Sequence, residues 1–294
     1  MILITTPTGA IGSQVVERLL ARDAPVRVVV RDPARLPSGV RERVEVFVGE
    51  HSDSALIHRA CEGVESVFWL VPPRPTALSL EAAYLDFTRP ACEAFKAQSV
   101  DRVVGISALG RGSGLEGRAG LVTAALAMDA LIADSGVAYR ALLMPSFMDN
   151  LLRQVSFIKN LNQFFSPIPG DKKCPTCATR DIASKAVELL LNPTWHGVEG
   201  VPVMGPEDLS PLDMAQILSQ VLGKTVAFQQ TTLDAFRAQL LNQGMSVPMA
   251  QGVVDMYAAK MHGLDNAEPR TPAAATETSF RQWCEEVLKP AVST

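Results

Sequence analysis

One loop constrains this chain more than any other feature. A short apolar run over residues 2–6 leads into Thr6-Pro7-Thr8-Gly9-Ala10-Ile11-Gly12, and apolar residues then recur at helical spacing: Ile11, Val15, Val16, Leu19 and Leu20. A strand, a glycine-bearing turn and a helix in immediate succession form the first half of a βαβ unit. The same rhythm continues downstream. Apolar runs at 26–30, 44–48, 66–71, 102–106 and 138–143 read as strands, and 55–61, 79–98 and 121–135 read as helices. Strands alternating with helices predict right-handed crossovers and a parallel sheet. The unbroken Val28-Val29-Val30 suits a strand buried on both faces. The expected class is therefore α/β, a doubly wound parallel sheet of Rossmann type.

After Pro145 the rhythm changes. Residues 147–162 read as helix and 164–173, with Pro167, Pro169 and Gly170, as loop. Helices follow at 181–191, 211–222, 233–242, 247–261 and 277–288, with a strand at 201–204 and an Ala/Pro-rich surface connector at 267–275. This divides the chain into a sheet domain, 1–150, and a smaller, mostly helical region, 151–294, that would bind substrate. The helix near 181–191 and the strand near 201–204 are expected to rejoin the first layer.

Composition narrows the function classes. The 294 residues are 47% hydrophobic and 20% charged, the balance of a packed globular protein. No charge-free apolar run approaches membrane-spanning length, so no membrane partner is expected. A net charge of −4, from 27 basic and 31 acidic residues, argues against nucleic acid. Met1 runs straight into Ile2-Leu3-Ile4 without a basic leader, so a cytoplasmic chain with reduced thiols is expected. Among five cysteines, Cys174 and Cys177 have the spacing of half a zinc site or a redox pair. No second ligand pair exists and His196 stands alone, so plain thiols and no metal are expected.

The first loop has the position of a dinucleotide fingerprint. Gly9 would let a pyrophosphate approach the backbone, and Gly12 would let the helix sit close to the strand. The helix start at Ala10-Ile11 offers N–H groups and partial positive charge, and Thr8 a hydroxyl. Thr6 stands where the usual first glycine would be. The second strand ends at Arg31-Asp32-Pro33-Ala34-Arg35. Arg31 is placed to meet a ribose 2′-phosphate, with Arg35 a turn further, which favours NADP(H). Asp32 leaves another reading open, since it could pair with Arg31 or select NADH.

These residues together resemble the NmrA-like, atypical short-chain dehydrogenase/reductase family. The resemblance spans nearly the whole chain. It rests on Thr8-Gly9-Ala10-Ile11-Gly12, Val30-Arg31-Asp32-Pro33, Gly49-Glu50, the strand from Arg102 to Ala108, Met144 to Asn150, Arg180-Asp181-Ile182-Ala183 and Gly205-Pro206-Glu207, in that order. It implies NAD(P)H binding and a substrate cleft against the C-terminal region. Nicotinamide contacts would then fall on Val71, Pro72 and Pro73, on Ser107, and on Pro145, Ser146 and Phe147. For Pro72 and Pro73 the plain reading is a strand terminator, and for Phe147 a core anchor.

Members of the wider family usually carry Tyr-x-x-x-Lys, which delivers a proton to a carbonyl. This chain has only Tyr84, Tyr139 and Tyr257, none with a lysine four residues on. The helix that should bear the motif, 121–133, has no tyrosine, lysine or histidine. Ser107 matches the usual catalytic serine but has no evident partner in the sequence. Two readings follow. Either hydride goes to an acceptor that needs no strong acid, such as a quinone, an azo bond or a cationic dye, or the chain binds NADP(H) as a sensor without turnover. Imine or ene reduction is a third reading. Phe147, Met148, Phe157, Phe164, Phe165, Met249 and Met256 would line a cleft for a small aromatic substrate, or equally form an ordinary core. The Gly-rich stretch 110–120 reads as a lid or a surface loop. Monomer and dimer both remain open.

Overall fold

The computed structural model describes residues 1–72 and 74–293. The expected strands and helices alternate through the first half. β1 (Ile2–Ile4) is followed by α1 (Gly12–Leu20), β2 (Val26–Val30), α2 (Ser38–Arg41), β3 (Glu45–Val48), α3 (Ser54–Ala60) and β4 (Ser66–Trp69). Then come α4 (Phe87–Ala97, with a π-helical turn at Ala82–Asp86 before it), β5 (Arg102–Ala108), α5 (Leu121–Asp134) and β6 (Ala138–Met144).

The second half is less regular: β7 (Ser146–Phe147), α6 (Val155–Asn160), β8 (Gln163–Ser166), β9 (Cys174–Cys177), α7 (Thr179–Leu191), β10 (Val198–Pro202) and β11 (Asp208–Leu209). It ends with α8 (Pro211–Leu222), β12 (Ala227–Gln230), α9 (Leu233–Asn242), α10 (Val247–Met261), α11 (Phe280–Trp283) and α12 (Lys289–Ser293).

The main sheet has seven parallel strands in the order β10-β6-β5-β4-β1-β2-β3. Strand order reverses between β1 and β4, and doubly wound sheets bind ligands at the carboxyl ends beside such a switch. Side chains alternate across the sheet. Leu3, Val29, Val67, Trp69, Val103 and Tyr139 pack beneath α3, α4 and α5. Ile4, Val28, Val30, Phe68, Val104 and Leu142 pack beneath α1 and α7. At roughly 25 cal/mol per Å² of apolar surface removed from water, two such cores dominate the stability of the layer.

Several expectations about the second half change. Seven strands form the sheet, because residues 198–202 pair with β6, from Val198↔Tyr139 to Pro202↔Leu143. The strand thus lies earlier than 201–204, and Met204 instead bridges to Ala275. The stretch at 267–275 is therefore no plain surface connector: Ala274 is buried and its carbonyl accepts from the Met204 N–H. The helix expected at 147–162 begins with tight 3-10 turns at Met148–Gln154, because Phe147 is held extended against Cys177. Within the expected loop 164–173, Gln163–Ser166 is a strand paired with β12. Gln154 pins it, accepting from the Phe165 N–H at 2.8 Å and donating to its carbonyl at 3.0 Å. The last helix starts at Phe280 rather than near 277, since the Ser279 hydroxyl caps it by accepting from Gln282 N–H.

The Gly-rich stretch is tied down. Glu116 accepts from the Gly112 N–H at 2.7 Å, and Thr123 donates to the Glu116 carbonyl at 2.6 Å. Gly120 has φ 54°, and a Cβ there would lie 2.0 Å from the Gly252 carbonyl oxygen. That close approach lets α10 dock on the start of α5. Among the described residues no helix is long and apolar enough to cross a membrane.

Candidate functional site

The turn between β1 and α1 explains its own glycines. A Cβ on Gly12 would sit 1.9 Å from the Thr6 carbonyl oxygen, so the fold itself requires glycine there. A Cβ on Gly9 would meet that oxygen at an ordinary 3.5 Å. The fold tolerates a side chain at Gly9; a ligand approaching the exposed Gly9-Ala10 backbone would not. The Ile11 side chain is buried in the core, so only its backbone faces this turn. α1 carries no capping side chain and no acid in its first turn, which leaves its partial positive end open to an anion. The Thr6 hydroxyl is buried without a hydrogen-bond partner. Such a group costs stability unless something satisfies it, so the loop is shaped for a polar ligand.

A cavity of about 180 Å³ opens here, lined by Thr5 to Gly9, Val29 to Arg31, Arg35, Gly49 to His51 and Pro72. Thr5 fixes its floor: its hydroxyl donates to the Phe68 carbonyl and accepts from the Leu70 N–H. Arg31 and Arg35 are exposed on the rim, and neither has an ion pair among the described residues. Asp32 is occupied elsewhere, accepting from the Ala34 N–H at 3.0 Å as a cap. The guanidinium groups are thus free for a phosphate. His51 is wedged between Trp69 and Phe87, ring centroids 5.1 and 4.8 Å away. Burial pulls its pKa down to about 4, with Arg31 and Arg74 adding to the effect against a hydrogen bond to the Leu70 carbonyl. It is neutral at physiological pH. These groups fit a dinucleotide whose ribose bears an extra phosphate.

Ser107, expected to lack a partner, has one. Its hydroxyl donates to Asp129 at 2.5 Å, and the same carboxylate accepts from Tyr139 at 2.7 Å and Arg111 at 2.8 Å. Burial raises the Asp129 pKa, while the three donors oppose that rise. With its proton committed, Ser107 can accept a hydrogen bond at the carboxyl end of β5 but not donate one to a substrate. Arg111 belongs to the Gly-rich stretch, so this network also ties that stretch to α5.

Beyond β6 a second cavity of about 120 Å³ opens. Ser146 and Phe147 of β7, Phe164 and Phe165 of β8, Cys174 to Thr176 of β9, Met214 of α8 and Tyr257 of α10 all contribute to its wall. Side chains tie α1, the turn after β7 and the start of α7 together. Asp149 accepts from the Thr179 N–H and hydroxyl, and Gln14 of α1 donates to Thr179 at 3.1 Å.

The expected site residues divide accordingly. Thr6, Thr8, Gly9, Arg31, Arg35 and Pro72 meet at the first cavity, and Ser146 and Phe147 at the second. Pro73 lies outside the described residues. Val71 packs on the core and Pro145 is buried at the end of β6. Met148 is in the core beneath α8, and Met249 is buried in the first turn of α10, so neither is on the cavity wall. Met256 packs against α5, and Phe157 stacks edge-on to Phe165 from outside the wall. Lys172 was missed, and Cys174 and Tyr257 were singled out for other reasons, because only the tertiary fold brings them beside Phe147. The Cys174/Cys177 pair is split. Three residues apart on a strand, they point to opposite faces, Cys174 to the cavity and Cys177 into the core.

Comparison with known proteins agrees with this geometry. A family model described as NAD(P)H-binding matches residues 7–193. The chain is 28% identical to an NAD(P)H azoreductase of Xenophilus azovorans over 258 residues, 88% of this chain and 86% of that one. It is 32% identical over 242 residues to a (4-alkanoyl-5-oxo-2,5-dihydrofuran-3-yl)methyl phosphate reductase of Streptomyces griseus, 82% and 80% of the two chains. An NADPH-dependent quinone oxidoreductase of Escherichia coli, solved with NADPH, shares the fold with TM-score 0.72 at 23% identity, over 89% and 90% of the two chains.

Proposed function

This chain belongs to the NAD(P)H-binding, NmrA-like group of atypical short-chain dehydrogenases/reductases, and from that premise we propose that it is an NADPH-dependent reductase of planar, electron-poor aromatic acceptors such as quinones or azo compounds. One observation carries the reading. The cavity beside β7 presents four aromatic rings, from Phe147, Phe164, Phe165 and Tyr257, and no carboxylate or imidazole. Such a wall orients a flat ring and offers it no carboxylate or imidazole as a base.

NADPH, when bound, supplies a hydride to the acceptor. The chain's own residues bind and orient. The Thr6 hydroxyl and the Gly9-Ala10 backbone receive the pyrophosphate, and Arg31 with Arg35 receives the 2′-phosphate. The aromatic wall stacks the acceptor and excludes water from the transfer path. A quinone takes the hydride and one proton from water to give the hydroquinone; conjugation stabilises the anion in between, so no Tyr-Lys pair is required. The thiols are free in the structure, which suits a reducing compartment such as the cytoplasm. A second reading, reduction of a conjugated carbon–carbon double bond, is favoured by the similarity to the Streptomyces dihydrofuranone phosphate reductase. The test is consumption of NADPH on adding a quinone or an azo dye. Tight NADPH binding with no turnover across a broad acceptor panel would overturn the proposal in favour of a nucleotide sensor.

A further inference from the structure

The charge of the second cavity narrows the acceptor. Its wall carries one charged side chain, Lys172. Lys172 is half-buried, and it has no ion pair among the described residues. The carboxylates whose charges reach its neighbour Cys174 are Asp265 and Asp208. Each is already committed, Asp265 to Lys260 and Asp208 to Arg270. Lys172 thus has no ion-pair partner of its own, and its Nζ lies 4.0 Å from where Gly263 would carry a Cβ. Exposed Arg153, outside the wall, adds positive potential at Tyr257 and also has no ion pair among the described residues.

The backbone turn that carries Lys172 is held in place. Lys172 N–H bonds to the Pro169 carbonyl at 3.1 Å, and the Leu212 N–H bonds to the Gly170 carbonyl at 3.0 Å, tying the turn to α8. A second polar group lacks a partner on the same wall: the hydroxyl of Thr176, a residue only 7% exposed, is buried without a hydrogen bond. An ammonium outside any ion pair, beside aromatic rings, repels cations and attracts anions, and more strongly there than in bulk water.

We infer that the acceptor carries an anionic group, a carboxylate, sulfonate or phosphate, which pairs with Lys172 while its ring lies against Phe147 and Phe165. This rests on the reductase reading for the identity of the ring as an acceptor. It removes cationic dyes from the acceptors considered above.

The test compares a naphthoquinone with its sulfonate, binding to the NADP-loaded protein by calorimetry at low salt. The sulfonate should bind about tenfold more tightly, and Lys172→Gln should erase the difference. Added salt should shrink it. NADPH affinity, read in the same variant, should stay unchanged, which reports an intact fold. Equal binding of the two quinones, or a preference that survives in Lys172→Gln, would overturn the inference. NADPH oxidation is followed separately. A sulfonate preference without turnover of either quinone would sink the reductase reading and leave the anion site standing. Turnover without a preference would do the reverse.

Discussion

The first cavity is assembled wholly from chain between Thr5 and Pro72, whereas the second draws on segments scattered from Ser146 to Tyr257. The first is defined by backbone turns and unpaired polar groups, the second by apolar packing around one cation. The difference bears on what a substitution does. In the first cavity, groups that hold the fold and groups that await a ligand are adjacent yet separable. In the second, most wall residues do both at once.

Gly12 and Gly9 make the sharpest test of that separation. Gly12→Val forces a side chain onto the Thr6 carbonyl and should cost about 3 kcal/mol or more, seen as a collapse of the melting temperature. Gly9→Val finds ordinary space and should keep the native melting temperature, while NADPH affinity falls at least about a hundredfold. Retained NADPH binding in folded Gly9→Val would place the phosphate loop elsewhere.

The next largest effect concerns pH. The first cavity holds a buried imidazole and the second holds none. His51 has its folded pKa drawn from 6.5 to about 4, so the unfolded chain binds the extra proton. The stability from its neutral form is full above pH 6.5 and is lost as pH falls towards 4. The loss is about 3 kcal/mol. Thermal melts of wild type and His51→Gln over that range should differ in slope; parallel curves would refute the assignment.

Arg31→Ala should act on binding alone. Removing one charge-assisted contact to the 2′-phosphate costs about 2 kcal/mol, or roughly thirtyfold in NADPH affinity. NADH affinity should not move. An equal loss for both nucleotides would show that Arg31 does not read the extra phosphate.

How much of this could be read beforehand follows the same division. The strand–turn–helix at Thr6 to Gly12 is local, so spacing alone located it, and the unbroken Val28-Val29-Val30 is buried as its pattern predicts. The freedom of Arg31 was not legible, because Asp32 could equally have paired with it; only the cap on Ala34 decides. Ser107 seemed partnerless because Asp129, 22 residues on, meets it only once α5 packs on β5. Phe164 and Phe165 were found as aromatic residues, but their strand was hidden by Pro167, Pro169 and Gly170. Met148 and Met249 satisfied the apolar pattern of a cleft and of a core alike, and burial assigned them to the core. Lys172 gave no signal, and Tyr257, weighed only as a possible acid, gave none of its place beside Phe147, since both are distant from it in sequence.

Tyr257 bears most directly on the missing acid, and it should show the smallest effect. It is the hydroxyl-bearing ring on the acceptor cavity, with Lys260 one turn along α10. Burial raises its pKa, and the nearby Lys260 and Arg153 only partly oppose that, so the phenol stays protonated at neutral pH. Lys260 is committed to Asp265, which leaves it a poor partner for driving a proton off the phenol. A quinone acceptor needs no proton in the hydride step, so Tyr257→Phe should change kcat by less than about threefold. A carbonyl or ene acceptor would behave differently, because charge then builds on an atom that a phenol on this wall could protonate. A hundredfold fall in kcat with KM unchanged, together with a larger solvent isotope effect in the wild type, would identify Tyr257 as the acid and move the substrate class from quinone-like to ene-like.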